Sequence, residues 1–195
     1  MNALTIMLIR HAEKPGEEWP GPGLTVEGEQ DTESLVIRGW QRAGAWTALF
    51  GAGLGGYPAP QAIYAATPGA PDKLNHGPSR RPYQTIMALA PRLNLVPNTS
   101  FAKGKEEYLV KALLKLSGVV LVCWEHKAIL SDILPKLPVS NSGDLPMHWS
   151  GKRFDVVLRF DRAEGATHFV FREFWPCLMS GDLSTPLKND PKDND

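Results

Sequence analysis

The stretch LTIMLIRHAEKP, residues 4–15, decides how the rest of the chain is interpreted. Its first half, residues 4–9, is almost continuously apolar, which is typical of a central strand that is covered on both faces of a sheet. The polar run RHAEK, residues 10–14, follows where that strand ends. Exposure to solvent would account for such a run taken alone, so the remaining strands of the chain must show whether it has a function.

The composition is that of an ordinary globular protein. The chain has 195 residues, of which 43% are hydrophobic and 22% are charged, and this length suits one domain. Because 21 basic and 21 acidic residues give a formal net charge of zero, the charge does not indicate a nucleic-acid or membrane partner. Two cysteines form no disulfide framework, and the N-terminus lacks an apolar stretch of signal-peptide length. We therefore expect a cytoplasmic protein.

Apolar runs and helical periods alternate along the chain. Further buried strands are predicted at residues 61–66 (QAIYAA) and 118–124 (GVVLVCW). Two β-rich runs within residues 153–175, joined by a glycine-containing turn, predict a hairpin at the sheet edge. Helices are predicted over residues 38–50, 81–93, 105–116 and 126–137. The alternation predicts an α/β fold with three layers (α/β/α), a mostly parallel central sheet and an antiparallel edge strand.

The domain organisation follows from the polar segments. We expect a single domain over residues 1–186 and a disordered charged tail over residues 187–195. Two long loops rich in polar residues, glycine and proline are predicted near residues 15–28 and 67–79. Loops of this length in a compact domain are usually functional or disordered. We expect the second loop to border the functional pocket.

Charged and imidazole side chains follow the predicted strands at one edge of the sheet. Arg10 and His11 follow the first strand, Arg81 opens the helix after the second, and Glu125 and His126 follow the third. Parallel sheets bind ligands at this edge. Arginines bind phosphate oxygens with forked hydrogen bonds, a neutral imidazole can attack phosphorus, and a second, protonated histidine can stabilise the developing charge. Each residue alone also suits a loop edge, but their coincidence favours an anion site.

Five segments, in order, resemble a known family. The segment LIRHAEKP resembles the RHG/RHA signature of the histidine phosphatase superfamily, which includes the cofactor-dependent phosphoglycerate mutases. The helix start LVIRGWQRAGAW is similar to the family's, with Val36 and Arg42 in place of the usual Thr and Gln. The other resembling segments are IYAATP (63–68), SRRPYQTI (79–86) and VVLVCWEHKAI (119–129). The resemblance covers most of the chain and implies a phosphoglycerate mutase-like fold.

The resemblance also implies a chemistry. His11 would be the nucleophile that becomes phosphohistidine, and Arg10, Arg81 and His126 would complete the phosphate pocket. The family's second arginine falls on Arg81 rather than on Arg80. The implied activity is that of a metal-independent phosphatase that hydrolyses a small phosphorylated substrate, a phosphomonoester, with no metal ion or other cofactor.

The general acid is left open at this point. Many family members have a glutamate at the chain distance where Glu106 and Glu107 fall, although helix starts favour acidic residues for capping and dipole reasons alone. Glu125 is the rival, as a proton donor or as an orienting partner for His126 or Arg10. Glu13 and Lys14 replace residues that mutases use. Lys14 would either reach a distal anionic group or be solvated.

Two other functions share the same residues. One is a protein phosphohistidine phosphatase, which would need an open pocket, whereas the two long loops favour a covered one. The other is a catalytically weak member of the fold that binds a phosphorylated ligand or a protein. Fold alone does not distinguish these possibilities from a phosphatase of small molecules.

Overall fold

The computed structural model describes residues 1–16, 18–69 and 79–190. In these ranges the strands are β1 Leu4–Arg10, β2 Ala62–Ala65, β3 Gly118–Trp124, β4 Val157–Arg162 and β5 Val170–Phe174. The α-helices are α1 Ile37–Ala52, α2 Arg81–Ile86, α3 Leu89–Arg92, α4 Glu106–Leu113 and α5 His126–Ala128. A π-helix spans Ile129–Ile133, and 3-10 helices span Leu134–Lys136, Ser142–Asp144 and Leu187–Asn189.

The strands form one sheet in the order β2-β3-β1-β4-β5. The strand β3 pairs in parallel with both β1 and β2, whereas β4 is antiparallel to β1 and to β5. The predicted α/β fold with a mostly parallel central sheet and an edge hairpin is therefore confirmed. The reversed strand is β4, which lies one position inside the edge, because the hairpin turns back and leaves β5 outermost.

Helices cover both faces of the sheet, which makes the fold a three-layer α/β/α structure as predicted. On one face, Ile6 and Leu8 of β1 belong to the same buried cluster as Leu109 of α4. On the other face, Met7 belongs to a cluster with Trp46 of α1 and with apolar residues of α2 and α3. The continuous apolar run of β1 is thus explained by burial of alternate side chains on opposite faces.

Two of the predicted helices are interrupted. The helix expected over residues 81–93 is divided into α2 and α3, and the one expected over 126–137 continues from α5 as a π-helix and a 3-10 helix. Pro91 and Pro135 lie in these segments. Proline has no N–H group and its ring meets the preceding turn, so the regular hydrogen-bond ladder is lost near both positions.

The C-terminal segment is ordered further than the sequence suggested. The disordered tail was predicted from residue 187, but Leu187 is fully buried and its backbone N–H donates to Glu173 Oε1 at 2.7 Å. Asp190 forms an ion pair with Arg153. Leu187 is a single leucine at the start of a polar segment, so the sequence pattern did not indicate that it packs against the core. The packed domain therefore continues to residue 190, and the rest of the predicted tail, residues 191–195, lies outside the described residues.

Among the helices of the described ranges, none is both long enough and apolar enough to cross a bilayer. The cytoplasmic location stays a prediction.

Replacing the buried leucine of the C-terminal segment tests whether the segment belongs to the core. We expect Leu187→Ala to lower the free energy of unfolding by about 2–4 kcal/mol, because the change removes a fully buried aliphatic side chain. Chemical denaturation measures this difference. Lys188→Ala, at an exposed neighbouring position, is the control and should change stability by less than about 0.5 kcal/mol. Equal stabilities of the two variants would contradict the packing described.

Candidate active site

The pairing of β1 with β3 brings the two histidine-containing segments together. Arg10 pairs with Trp124 at the ends of these parallel strands, and the backbone N–H of His11 donates to the Trp124 carbonyl oxygen at 3.0 Å. A cavity of about 460 Å³ lies at this edge. Its lining includes Arg10, His11, Arg81 and His126. The structure thus places all four phosphate-pocket candidates around one cavity.

The guanidinium of Arg10 is held by a segment that the sequence analysis did not single out. Its Nη1 donates to the carbonyl oxygens of Ser150, Gly151 and Arg153 at 3.2, 2.9 and 3.0 Å. Its carbon Cζ lies 3.8 Å from the centre of the Phe154 ring. Arg10 is only 1% exposed. These contacts fix the orientation of the group at the cavity. Backbone acceptors in a loop have no sequence signature, which is why this support could not be predicted.

His11 is a buried, neutral imidazole. Its Nδ1 lies 2.8 Å from the carbonyl oxygen of Ala12, and because that oxygen can only accept, Nδ1 carries the proton. The lone pair is then on Nε2. Burial, followed by the nearby charge of Arg10, lowers the pKa of His11 well below its usual value. The side chain therefore has the protonation state that a nucleophile requires.

Arg81 is oriented by the chain segment that precedes α1. Its Nη2 donates to the Thr32 carbonyl oxygen at 2.6 Å and lies 3.3 Å from Glu33 Oε2. Burial lowers the pKa of Arg81, with Glu33 acting in the opposite direction. Arg80 forms an ion pair with Asp31 at 3.5 Å and is not among the cavity-lining residues. Of these two arginines, Arg81 is the one that lines the cavity.

Glu125 caps the short helix α5. Its carboxylate accepts hydrogen bonds from the backbone N–H groups of Lys127 and Ala128, both at 3.0 Å. Oε1 also lies 3.2 Å from His126 Nδ1, and Oε2 lies 3.4 Å from Lys103 Nζ. Burial alone would raise the pKa of Glu125, but the two backbone donors and the nearby cations lower it. The carboxylate is held in its ionised form, which suits an orienting role and not the role of an acid.

His126 is neutral in this environment. Burial, and next the charge of Arg10, lower its pKa to about 3, although Glu125 acts in the opposite direction. The sequence analysis expected a protonated second histidine. A dianionic phosphate beside the ring would raise this pKa, because an opposite charge favours the imidazolium.

The glutamates at the start of α4 do not line the cavity. Glu106 is buried and accepts hydrogen bonds from Trp124 Nε1 at 2.9 Å and from the Gly104 N–H at 3.0 Å, so it joins α4 to β3. Glu107 is exposed and forms an ion pair with Lys111, one helical turn away. The structure brings neither of these two acid candidates to Arg10 and His11.

A carboxylate missed by the sequence analysis does line the cavity. Glu33 lies beside Arg81, and with Glu125 it makes two carboxylates in the part of the lining that the structure describes. It belongs to the irregular segment EQDTES, residues 29–34, where no spacing or motif marks one acid among several. Only the fold brings it next to α2.

Glu13 and Lys14, which follow the first strand and had no role assigned from the sequence, have different surroundings in the structure. Lys14 lines the cavity, and its pKa is lowered by burial and then by the charges of Arg81 and Arg10. Glu13 is fully buried, and its Oε1 lies 2.8 Å from Nη2 of Arg42. Arg42 also pairs with Asp182 at 2.7 Å. Glu13 therefore ties the strand end to α1 and to the C-terminal segment.

The loop predicted to border the pocket does so at both described ends. Thr67 and Ser79 line the cavity. The middle of that loop, residues 70–78, lies outside the described residues. Within residues 1–16, 18–69 and 79–190, no group of three or more His, Cys, Asp or Glu side chains is arranged to hold a metal ion.

Comparisons with known proteins find similarity in structure only. No protein-family model matches the sequence, and no curated protein matches it. The structure of "Mycobacterial hydrolase 2" has 16% identity and a TM-score of 0.47, covering 89% of this chain and 90% of that one. A mycobacterial glucosyl-3-phosphoglycerate phosphatase has 17% identity and a TM-score of 0.49, covering 89% and 98%. A protein assigned as the phosphohistidine phosphatase SixA of Agrobacterium tumefaciens has 18% identity and a TM-score of 0.44. The match covers 85% of this chain and 96% of that one.

The neutral histidines make stability depend on pH. His126 stays neutral in the fold down to about pH 3, whereas a histidine of the unfolded chain takes up its proton near pH 6.5. Between these values the unfolded state binds more protons, so the free energy of unfolding falls on acidification, by on the order of 1.4 kcal/mol per pH unit for this group.

Urea unfolding between about pH 7 and pH 5 measures this dependence. We expect His126→Asn to show a shallower loss of stability than the wild type, because one of the neutral histidines is removed. His168→Asn is the control, since His168 is exposed and outside the cavity. Identical slopes for the wild type and His126→Asn would contradict a depressed pKa.

Proposed function

We propose that this chain is a member of the histidine phosphatase superfamily that hydrolyses phosphomonoesters through a phosphohistidine on His11. The observation that supports this most is the convergence of Arg10, His11, Arg81 and His126 on one cavity, with His11 buried and neutral. The guanidinium groups of Arg10 and Arg81 supply the positive charge that a phosphoryl group needs, and the imidazole of His11 supplies the nucleophile.

The reaction would proceed in two displacements. In the first, the lone pair of His11 Nε2 attacks phosphorus while the bond between phosphorus and the leaving oxygen breaks. Arg10 and Arg81 bind the non-bridging oxygens, and Nδ1 of His11 keeps its proton and donates it in a hydrogen bond to the Ala12 carbonyl oxygen. In the second, water attacks the phosphohistidine and gives a proton to the carboxylate that protonated the leaving oxygen, the phosphorus–nitrogen bond breaks, and inorganic phosphate leaves as His11 regains its lone pair. The product is the free alcohol or phenol.

The leaving oxygen needs a proton, and two carboxyl groups, those of Glu33 and Glu125, line the described part of the cavity. Both oxygens of Glu125 accept backbone hydrogen bonds, and its lowered pKa disfavours the acid form. Glu33 lines the same cavity, and its Oε2 lies 3.3 Å from Arg81 Nη2. We therefore assign proton donation to Glu33, and to Glu125 the positioning of His126.

Removing the proposed nucleophile tests the function directly. We expect the wild type to hydrolyse 4-nitrophenyl phosphate without added metal, and His11→Ala to lose activity by about a thousandfold or more. His168→Ala, at an exposed position outside this cavity, should retain it. Rapid acid-free quenching should trap phosphate on the wild type that is labile in acid and stable in base, as phosphohistidine is.

The other outcomes of this assay have definite meanings. An inactive wild type across a broad panel of phosphoesters would favour the catalytically weak, phospho-ligand-binding alternative. Activity restricted to a phosphohistidine-bearing protein would favour the protein phosphohistidine phosphatase. Full activity in His11→Ala would contradict the proposed mechanism.

Leaving-group dependence tests the assignment of the acid. We expect Glu33→Gln to slow hydrolysis of phenyl phosphate by about a hundredfold, and 4-nitrophenyl phosphate much less, because a good leaving group needs no proton. Glu125→Gln should slow both substrates by the same factor, as expected for a positioning residue. Steady-state kinetics with the two substrates measure both ratios. A selective loss in Glu125→Gln instead would reverse the two roles.

A further inference from the structure

A second cavity, of about 600 Å³, adjoins the proposed phosphoryl pocket. The two cavities share part of their lining, namely Arg10, Lys14, His126 and Lys127. A molecule whose phosphoryl group lies against His11 therefore has a continuous path along these side chains into the second cavity. The part of the substrate that is not transferred would extend there.

The second cavity is lined by cations. Lys152 joins the shared cations Arg10, Lys14 and Lys127 in its lining. Among the described residues that line it, none is an aspartate or a glutamate. Lys152 also pairs with Glu18 at 2.9 Å, and Glu18 is not part of the lining. The lining therefore carries an excess of positive charge, which attracts anions and repels cations.

Apolar surface lies beside these charges. Leu130, Trp149 and Met147 line the same cavity, and Met147 is 93% exposed. The exposed thioether side chain of Met147 gives a carbon skeleton a surface to contact. The cavity thus combines a region for hydrocarbon with cations that would bind a charged end.

We propose that the second cavity binds a second anionic group, a carboxylate or a phosphate, on the part of the substrate that is not transferred. The preferred substrates are then phosphomonoesters that carry a further negative charge, and neutral or cationic ones are poor. This inference rests on the proposed function, because it takes the phosphoryl group to lie against His11. It specifies the substrate class that the first cavity alone does not select.

Binding of non-hydrolysable phosphonates tests the inference without turnover. We would compare ω-carboxyalkylphosphonates with alkylphosphonates of the same chain length, over a series of lengths, by isothermal titration calorimetry. We expect the carboxylated compound to bind at least about tenfold more tightly at one or more lengths, with a preference that falls as salt is added. A matching series of ω-aminoalkylphosphonates should bind more weakly than both.

A charge-neutralising variant locates the effect. Lys152→Gln should reduce the preference for the carboxylated compounds by about threefold to tenfold and leave alkylphosphonate affinity unchanged, since Lys152 lines only the second cavity of the two. Lys115→Gln, at an exposed site outside both cavities, is the matched control.

The possible failures are distinguishable. Equal affinities for carboxylated and plain alkylphosphonates at every length would overturn the second anion site while leaving the phosphoryl pocket intact. A preference that Lys152→Gln does not alter would also overturn the assignment to this cavity. Absence of binding by every phosphonate would overturn the phosphoryl pocket and, with it, this inference.

Discussion

The parallel pairing of β1 with β3 is the constraint on which the candidate site depends. Because Arg10 lies opposite Trp124, the residues that follow the two strands leave the sheet at the same level. His11 and His126 then line one cavity although they are far apart in the chain. A shift of one residue in this register would turn alternate side chains of β1 to the opposite face, so the two buried clusters that enforce the register also align the site.

Burial among cations gives the two histidines their chemical character. An exposed histidine is partly protonated near neutral pH, and a protonated ring cannot act as a nucleophile. At His11 and His126 desolvation is the largest influence on the pKa and Arg10 is the next, and both lower it. The same positive charge that would attract a phosphate thus keeps both imidazoles neutral, and the arrival of the anion would reverse part of that effect at His126.

The sequence predicts the features that leave a periodic pattern or that directly follow a strand. The apolar runs indicate the strands of the parallel core, and the residues that directly follow them, such as His11 and His126, are the ones that the structure brings together. Roles that depend on which way a helix or a loop faces could not be predicted in this way. Glu107 lies on the exposed side of α4, and Glu33 reaches the cavity from an irregular segment.

Side-chain support from distant segments is equally hidden in the sequence. The carbonyl oxygens that hold Arg10 come from residues about 140 positions away. Such contacts depend on the path of a loop and use backbone atoms that every residue has, so residue identity does not reveal them. The two proline-interrupted helices could not be predicted in full for a related reason. The apolar residues keep a helical period there, but the regular backbone hydrogen bonds of an α-helix do not continue.

Arg153 connects the C-terminal segment to Arg10 of the proposed phosphoryl pocket. Its carbonyl oxygen accepts from Arg10, while its guanidinium pairs with Asp155 and Asp190 and donates to the Thr185 carbonyl oxygen. Detachment of the C-terminal segment would leave this buried guanidinium without three of its partners, Asp190 and the carbonyl oxygens of Leu183 and Thr185. Local opening of that segment would therefore also remove contacts that hold the residue supporting Arg10. Proteolytic removal of the last few packed residues would thus weaken the support of a side chain that lies near the beginning of the sequence.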